Sequence, residues 1–161
     1  MTGMADGNRR IVLGLGNTLN RDEGLGIHCL APLRERLKDV AGVEVLDGGV
    51  LGLDLLPLVE SCSHLLILDA VDAGQPPGAV VELGREDIPL FSRVKLSWHQ
   101  VSFQEVLQFA EVRGHLPAHL HLVGAQPADI STGYGLSPVL APLVPEIAAR
   151  AVAVLERWGL V

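Results

Sequence analysis

The chain has 161 residues, and 48% of them are apolar against 19% charged, which suits one domain and excludes a disordered, collagen-like or disulfide-stapled protein. Aromatic residues make up only 4% and the formal charge is -7, which excludes base stacking and an electrostatic grip on phosphates as the basis of function. The core must be assembled from Leu, Val, Ile and Ala in packed layers.

Residues 1–9 read as a flexible lead-in to Ile11-Val12-Leu13, a buried strand that stops at the turn Gly14-Leu15-Gly16-Asn17. Residues 23–38 carry Ile27, Leu30, Ala31 and Leu37 near helical spacing, with a kink expected at Pro32. Val43 to Leu46 forms a second short strand closed by Asp47-Gly48-Gly49, and Asp54 to Glu60 one or two helical turns, with Asp54 as N-cap and Pro57 in the first turn. His64 to Leu68 is the most apolar strand, ended by Asp69, and Ala79 to Leu83 is another, after the turn-forming Gln75-Pro76-Pro77-Gly78.

Ser102 with Glu105 three residues on is a capping box, and Phe103, Val106, Leu107 and Ala110 follow at helical spacing until Gly114 ends the helix. His119 to Val123 is the last strand, and a Gly- and Pro-rich loop follows from Gly124 to Leu136. Ser137 as N-cap and Pro138 in the first turn open a C-terminal helix, kinked at Pro142, whose apolar face runs from Leu140 to Trp158. Strands alternating with helices predict an α/β fold: a single domain over 1–161, built as a three-layer αβα sandwich around a mostly parallel twisted sheet, phosphorylase/hydrolase-like in layout.

No run of about 18 apolar residues and no N-terminal apolar segment marks a membrane span or an export signal. Cys29 and Cys62, without CxxC spacing, read as structural thiols of a protein in the reducing cytosol.

The glycines after the first strand invite a dinucleotide reading, but Leu19 stands where the third Gly of GxGxxG belongs, and Asp22-Glu23 puts two carboxylates where phosphate would sit. There is no GxSxG elbow, HExxH pair, P-loop or cysteine flanked by a base. Ligands of open α/β sheets gather at the carboxyl ends of strands, and three candidate metal ligands fall there: Glu23 after the first strand, Asp69 ending the third, and His99 before the capped helix. Two carboxylates and an imidazole suit a divalent transition metal with coordination positions left open. The helix N-terminus near His99 disfavours the imidazolium, leaving the neutral ring a metal requires.

The alternative is plain architecture: Glu23 as a solvated first-turn acid and Asp69 as a turn cap. His28, His64, His115, His119 and His121 read as core or surface histidines. Asp47 before two glycines marks either a tight turn or a place where a peptide approaches closely.

The run from Gly14 to Gly26 (GLGNTLNRDEGLG) resembles the N-terminal signature of the hydrogenase maturation endopeptidases, which trim the large subunit of nickel-iron hydrogenases. The resemblance continues through Asp47-Gly48-Gly49, Asp69-Ala70, Ser97-Trp98-His99-Gln100, Gly124-Ala125-Gln126-Pro127 and Gly135-Leu136-Ser137-Pro138. Carried over by position, the family's metal ligands fall on Glu23, Asp69 and His99, and its substrate-contacting loop on Asp47, Gly48 and Gly49. A Thr common after that loop is Val50 here, and the family's frequent Asp-Asp pair is Asp22-Glu23.

The resemblance implies a cytosolic, monomeric endopeptidase that removes the C-terminal extension of the hydrogenase large-subunit precursor after nickel insertion. Nickel would arrive with the precursor, and zinc or cadmium would substitute in vitro. Glu23, Asp69, His99 and Asp47 would form the catalytic set, with two mechanisms open: polarisation of the scissile carbonyl at the metal, or metal docking with Asp47 positioning water. A non-catalytic accessory that escorts nickel or the precursor would use the same ligands.

Overall fold

A computed structural model describes residues 7–88, 95–96 and 101–161, apart from the side chains of Lys95, Leu96, Val101 and Ser102. His99 and the rest of the 97–100 segment lie outside the described residues, as does the Ser102 side chain of the expected capping box.

The strands are β1 (Arg9–Leu15), β2 (Glu44–Gly49), β3 (Cys62–Asp72), β4 (Val80–Gly84), β5 (Lys95–Leu96) and β6 (His119–Ala125). They form one sheet in the order β2-β1-β3-β6-β4, with β5 paired to the end of β3. The pairs β1–β2, β1–β3 and β3–β6 are parallel, while β4 runs antiparallel to β6 and β5 to β3. The helices are α1 (Leu25–His28), α2 (Leu30–Arg36), α3 (Leu56–Glu60), α4 (Val101–Val112) and α5 (Val144–Arg157).

Successive side chains of a strand point to opposite faces, so an apolar run makes two cores. Ile11, Leu13, Leu65 and Ile67 pack with Leu55, just ahead of α3, and with Val59, Phe103, Val106, Leu107 and Ala110, the buried stripe of α3 and α4. Val12, Leu66 and Leu68 face the other way and pack with Leu25, Leu30, Leu33, Ile147, Ala151, Val154 and Leu155 of α1, α2 and α5. This is the expected three-layer sandwich. Cys29 and Cys62 are free and buried in these cores, and burial pushes their thiols up to about 12 and about 11.

Several boundaries differ from the expectation for local reasons. The single kinked helix over 23–38 is instead a 3-10 turn at Arg21–Gly24 followed by α1 and α2, which part at Cys29. Pro32 has no N–H to give the carbonyl of His28, and the ladder lapses there. The turns near Asp54 begin earlier, as a 3-10 segment at Gly52–Leu55, so that Leu55 rather than Asp54 precedes α3. Helix α4 starts ahead of Ser102 and closes as expected at Gly114, whose φ is +74° and whose N–H bonds the carbonyl of Glu111.

At the C-terminus a turn at Ser137 passes through a 3-10 segment, Ala141–Leu143, before α5 begins at Val144. Pro142 and Pro145 withhold the amides that a helix begun at Ser137 would need. Most consequential, Asp69 does not end its strand: β3 runs on to Asp72, because β6 pairs with it as far as Ala70 and β5 takes up Val71 and Asp72.

Candidate active site

Partner β1 pairs with β3 no further than Leu68, so Asp69 is the first residue of β3 past its pairing with β1. On its other side it stands opposite Gly124 of β6. The space above the end of β1 is roofed by the Arg21–Gly24 turn and α1, brought down by two glycines. A Cβ at Gly26 would collide with the carbonyls of Leu68 and Leu15, and one at Gly16, where φ is +140°, with the carbonyl of Glu23. The spacing of glycines around Asp22-Glu23 is therefore the spacing that lets the turn rest on the strand ends.

This construction buries two carboxylates together. Glu23 is 3% exposed and Asp69 1%. Neither carboxylate oxygen of Asp69 has a well-aligned hydrogen-bond partner among the described residues, although the neighbouring amide of Ala70 lies close. Burial holds the Asp69 carboxyl well above the usual carboxylate range; the amide of Ala70 opposes this, and the neighbouring charge of Glu23 reinforces it. An unpaired buried acid is costly and is expected to meet either a proton or a cation. The donor chemistry thus fits a divalent metal, with Glu23 and Asp69 as two oxygen ligands. Among the described residues no third His, Cys, Asp or Glu joins them; the expected nitrogen donor, His99, is outside that description.

Asp47 is set apart from this pair. It lies exposed at the end of β2, where its Oδ1 accepts the N–H of Gly49 at 2.8 Å in a tight turn. A β-bulge between Gly14 and Leu15 accommodates it, so that Leu15 pairs with Gly49. Asp47, Gly49 and Val50 line a shallow cleft of about 240 Å³ whose other wall is Gly16 to Leu19 with Ile27. Leu19 and Val50 on its walls are each more than half exposed, as are Leu51 and Leu53 just beyond Val50 in sequence, which makes an apolar rim. Gly48 is the buried member of the loop, its face closed by Leu13 and Leu15. The structure thus joins Glu23 to Asp69 and places the Asp47-Gly48-Gly49 loop at an adjoining cleft.

Two residues that the sequence reading gave no role prove central to the site's frame. Asp22, fully buried, accepts four hydrogen bonds: from the N–H groups of Ala128 (2.9 Å), Asp129 (2.8 Å) and Ser137 (2.7 Å), and from the hydroxyl of Ser137 (2.8 Å). Gln126 accepts the amides of Ala73 and Gln75 and donates to Asp72, fastening the end of β3. No local signal announces either, since every partner of these side-chain bonds is more than 50 residues away in sequence. Ser137, expected to cap a helix, accepts the N–H of Leu140 at its Oγ at 3.4 Å and also donates its hydroxyl to Asp22.

Of the five histidines given no site role, His64, His119 and His121 gather at the opposite end of the sheet. His28 sits edge-on to Tyr134 at 5.5 Å. No helix among the described residues is long and apolar enough to cross a membrane.

Comparison with known proteins agrees with this architecture. The family model described as hydrogenase maturation protease (HycI) matches residues 27–154. A hydrogenase expression/formation protein, HupD of Rhodobacter capsulatus, is 40% identical over 154 residues, covering 94% of this chain and 73% of that protein. The hydrogenase 2 maturation protease of Escherichia coli K12 is 34% identical over 152 residues, covering 94% of this chain and 93% of its own. The solved structure of the hydrogenase maturating endopeptidase HybD from E. coli superposes with a TM-score of 0.82 at 32% identity, covering 94% of both chains. The chain belongs to the hydrogenase maturation protease family, a peptidase acting in hydrogenase maturation.

Proposed function

We propose that this chain is the endopeptidase that removes the C-terminal extension of a nickel-iron hydrogenase large-subunit precursor once nickel has been inserted, and that Glu23, Asp69 and His99 read the nickel. The observation that carries this reading is the Asp69 carboxylate, buried beside Glu23 with neither oxygen satisfied among the described residues. A fold retains such a group where a ligand is to complete it. Nickel belongs here to the substrate: held by precursor cysteines, it would take oxygen donors from Glu23 and Asp69 and a nitrogen donor from His99.

The chain's own contribution is positional. The glycine-laid turn holds Glu23 over the strand ends, and the apolar rim around the adjoining cleft accepts an extended peptide segment beside Asp47. Bound metal would supply Lewis acidity. Asp47 keeps Oδ1 on Gly49, leaving its other oxygen to orient a water or a peptide N–H. With three ligands and no thiolate of its own, the site should hold free nickel, zinc or cadmium only moderately, and the protein acts as a monomer in the cytosol.

The test is incubation of nickel-loaded and nickel-free precursor with the purified chain, read by the mass of the large subunit and by elemental analysis of the chain before mixing. The expected result is cleavage of the loaded form alone by a largely metal-free protein. Equal cleavage of both forms by a protein carrying stoichiometric metal would overturn it.

A further inference from the structure

We infer that Asp22 is a positioning residue of this peptidase: its carboxylate locks the Arg21–Gly24 turn to the loop between Gln126 and Ser137, and thereby sets where the neighbouring Glu23 stands. The inference rests on the proposed role of Glu23.

The loop crosses from the end of β6 to the approach of α5 without regular structure of its own, yet it is fastened along its length to the segment around Glu23. The Asp22 N–H donates to the carbonyl of Asp129 at 3.0 Å. Arg21 donates its N–H to Gly133 at 2.9 Å, and Gly133 returns one to Leu19 at 2.8 Å. The guanidinium of Arg21 lies 3.7 Å from the carboxylate of Asp129. At the centre is the Asp22 side chain, whose Oδ2 gathers Ala128, Asp129 and the Ser137 hydroxyl while Oδ1 takes the Ser137 amide.

All four groups are donors, so the position calls for a side chain that accepts only. An ionised carboxylate is that group. Asparagine has the same shape but turns an NH₂ toward at least one N–H, leaving donors unpaired in a buried site. The backbone of Glu23 follows directly on Asp22 and its N–H closes the turn on Asn20, so loosening the clasp frees the turn that carries the ligand side chain. Displacement of a reacting group by about 1 Å costs on the order of 100-fold in rate.

The experiment compares Asp22→Asn, Ser137→Ala and Glu23→Gln in the processing assay, with amide hydrogen exchange measured on the same proteins. Asp22→Asn is expected to speed exchange at Ala128, Asp129 and Ser137 while the strands of the core stay protected, and to lower kcat about 100-fold with KM little changed. Ser137→Ala removes one of the four donors and is expected to shift both readouts the same way by about 10-fold or less, which keeps the test open if Asp22→Asn does not fold. Loosened loop amides with a parental kcat would overturn the inference while leaving the proposed function standing. Unchanged loop amides would overturn it as well. A parental rate in Glu23→Gln would instead sink the proposed role of Glu23, and the link from Asp22 to catalysis with it.

Discussion

The two ends of the sheet treat polar groups in opposite ways. At the amino end, His64 and His119 stack with ring centres 4.1 Å apart and the edge of Trp158 against both. His64 bonds the hydroxyl of Ser63 at 2.8 Å. Nearby, His121 and Arg157 both reach Glu82, at 2.8 and 3.0 Å, and Arg9 grips Glu44 with two nitrogens. Glu82 and Glu44 are each met by a base there, and most of these groups are partly in solvent, where such pairs contribute little and cost little. At the carboxyl end Asp69 is buried with neither oxygen in a well-aligned hydrogen bond among the described residues. Exposed charge at the amino end finds its match within the chain, whereas the buried Asp69 carboxyl is left unmatched among the described residues, as expected of a group that a ligand completes.

Asp69→Asn offers the sharpest way to break that contrast. Processing should fall by at least about 1000-fold, a loss of roughly 4 kcal/mol of transition-state stabilisation. Thermal stability of the metal-free protein should rise, by about 1 kcal/mol or a Tm gain of about 2–4 °C, because the uncompensated charge is gone. His99→Ala should share the loss of processing and leave Tm unchanged. An Asp69→Asn protein that processes at the parental rate, or melts well below the parent, would place Asp69 among the structural charges.

Gly26→Ala probes how the roof is laid on the strand ends. A methyl group there meets the carbonyls of Leu68 and Leu15, neither of which can move without breaking the sheet. The expected cost is about 3 kcal/mol, a Tm drop of about 10 °C, together with loss of processing from whatever fraction stays folded. Gly114→Ala, at the far end of α4 with open space around it, is strained only by its φ of +74° and should cost about 1 kcal/mol with processing intact. Calorimetry on the pair separates them, and equal melting points would deny that Gly26 is a point of close approach.

The amino end should answer to pH where the carboxyl end answers to substitution. Burial lowers the His64 pKa below its ordinary value of 6.5, and the positive charges of His119 and Arg10 add to the effect. The unfolded chain therefore takes up a proton near pH 6.5 that the folded chain resists, so stability declines as pH falls below 6.5 until folded His64 is itself protonated. Melting curves between pH 7.5 and 5.5 should show a Tm decline of a few degrees, and His64→Phe should flatten that part of it. The same variant assayed at pH 7.5 should process normally. A parental slope in His64→Phe would assign the acid sensitivity elsewhere.

What could be read in advance follows the range of the interactions involved. Ile11-Val12-Leu13 and His64 to Leu68 announce themselves because an apolar run between turn residues suits a strand covered on both faces, and Gly114 because a helix end there needs a left-handed residue. Glu23 and Asp69 were legible as strand-end acids, although Asp69 lies within β3: the continuation to Asp72 depends on Gly124, Ala125 and β5, far along the chain. Asp22 was illegible for the same reason in a stronger form. Its sequence neighbours mark it as half of an acidic pair, while its four donors stand 106 to 115 residues away.

The smallest effect concerns Val50. It stands 54% exposed beside Asp47 and Gly49 on the rim of the cleft, at the position where the resembling family commonly carries a Thr. Val50→Thr keeps the branched shape and replaces one methyl with a hydroxyl, so the half-exposed site should hold its conformation and Tm should not move. A peptide lying along the rim would then meet one additional donor and acceptor, and a single neutral hydrogen bond contributes about 0.5–1.5 kcal/mol. KM for the precursor should fall about 2- to 10-fold with kcat unchanged, since a contact made equally in the ground and transition states alters binding alone. An unchanged or raised KM would mean that the substrate meets this rim through its apolar surface, with exposed Leu19, Leu51 and Leu53 supplying the contact.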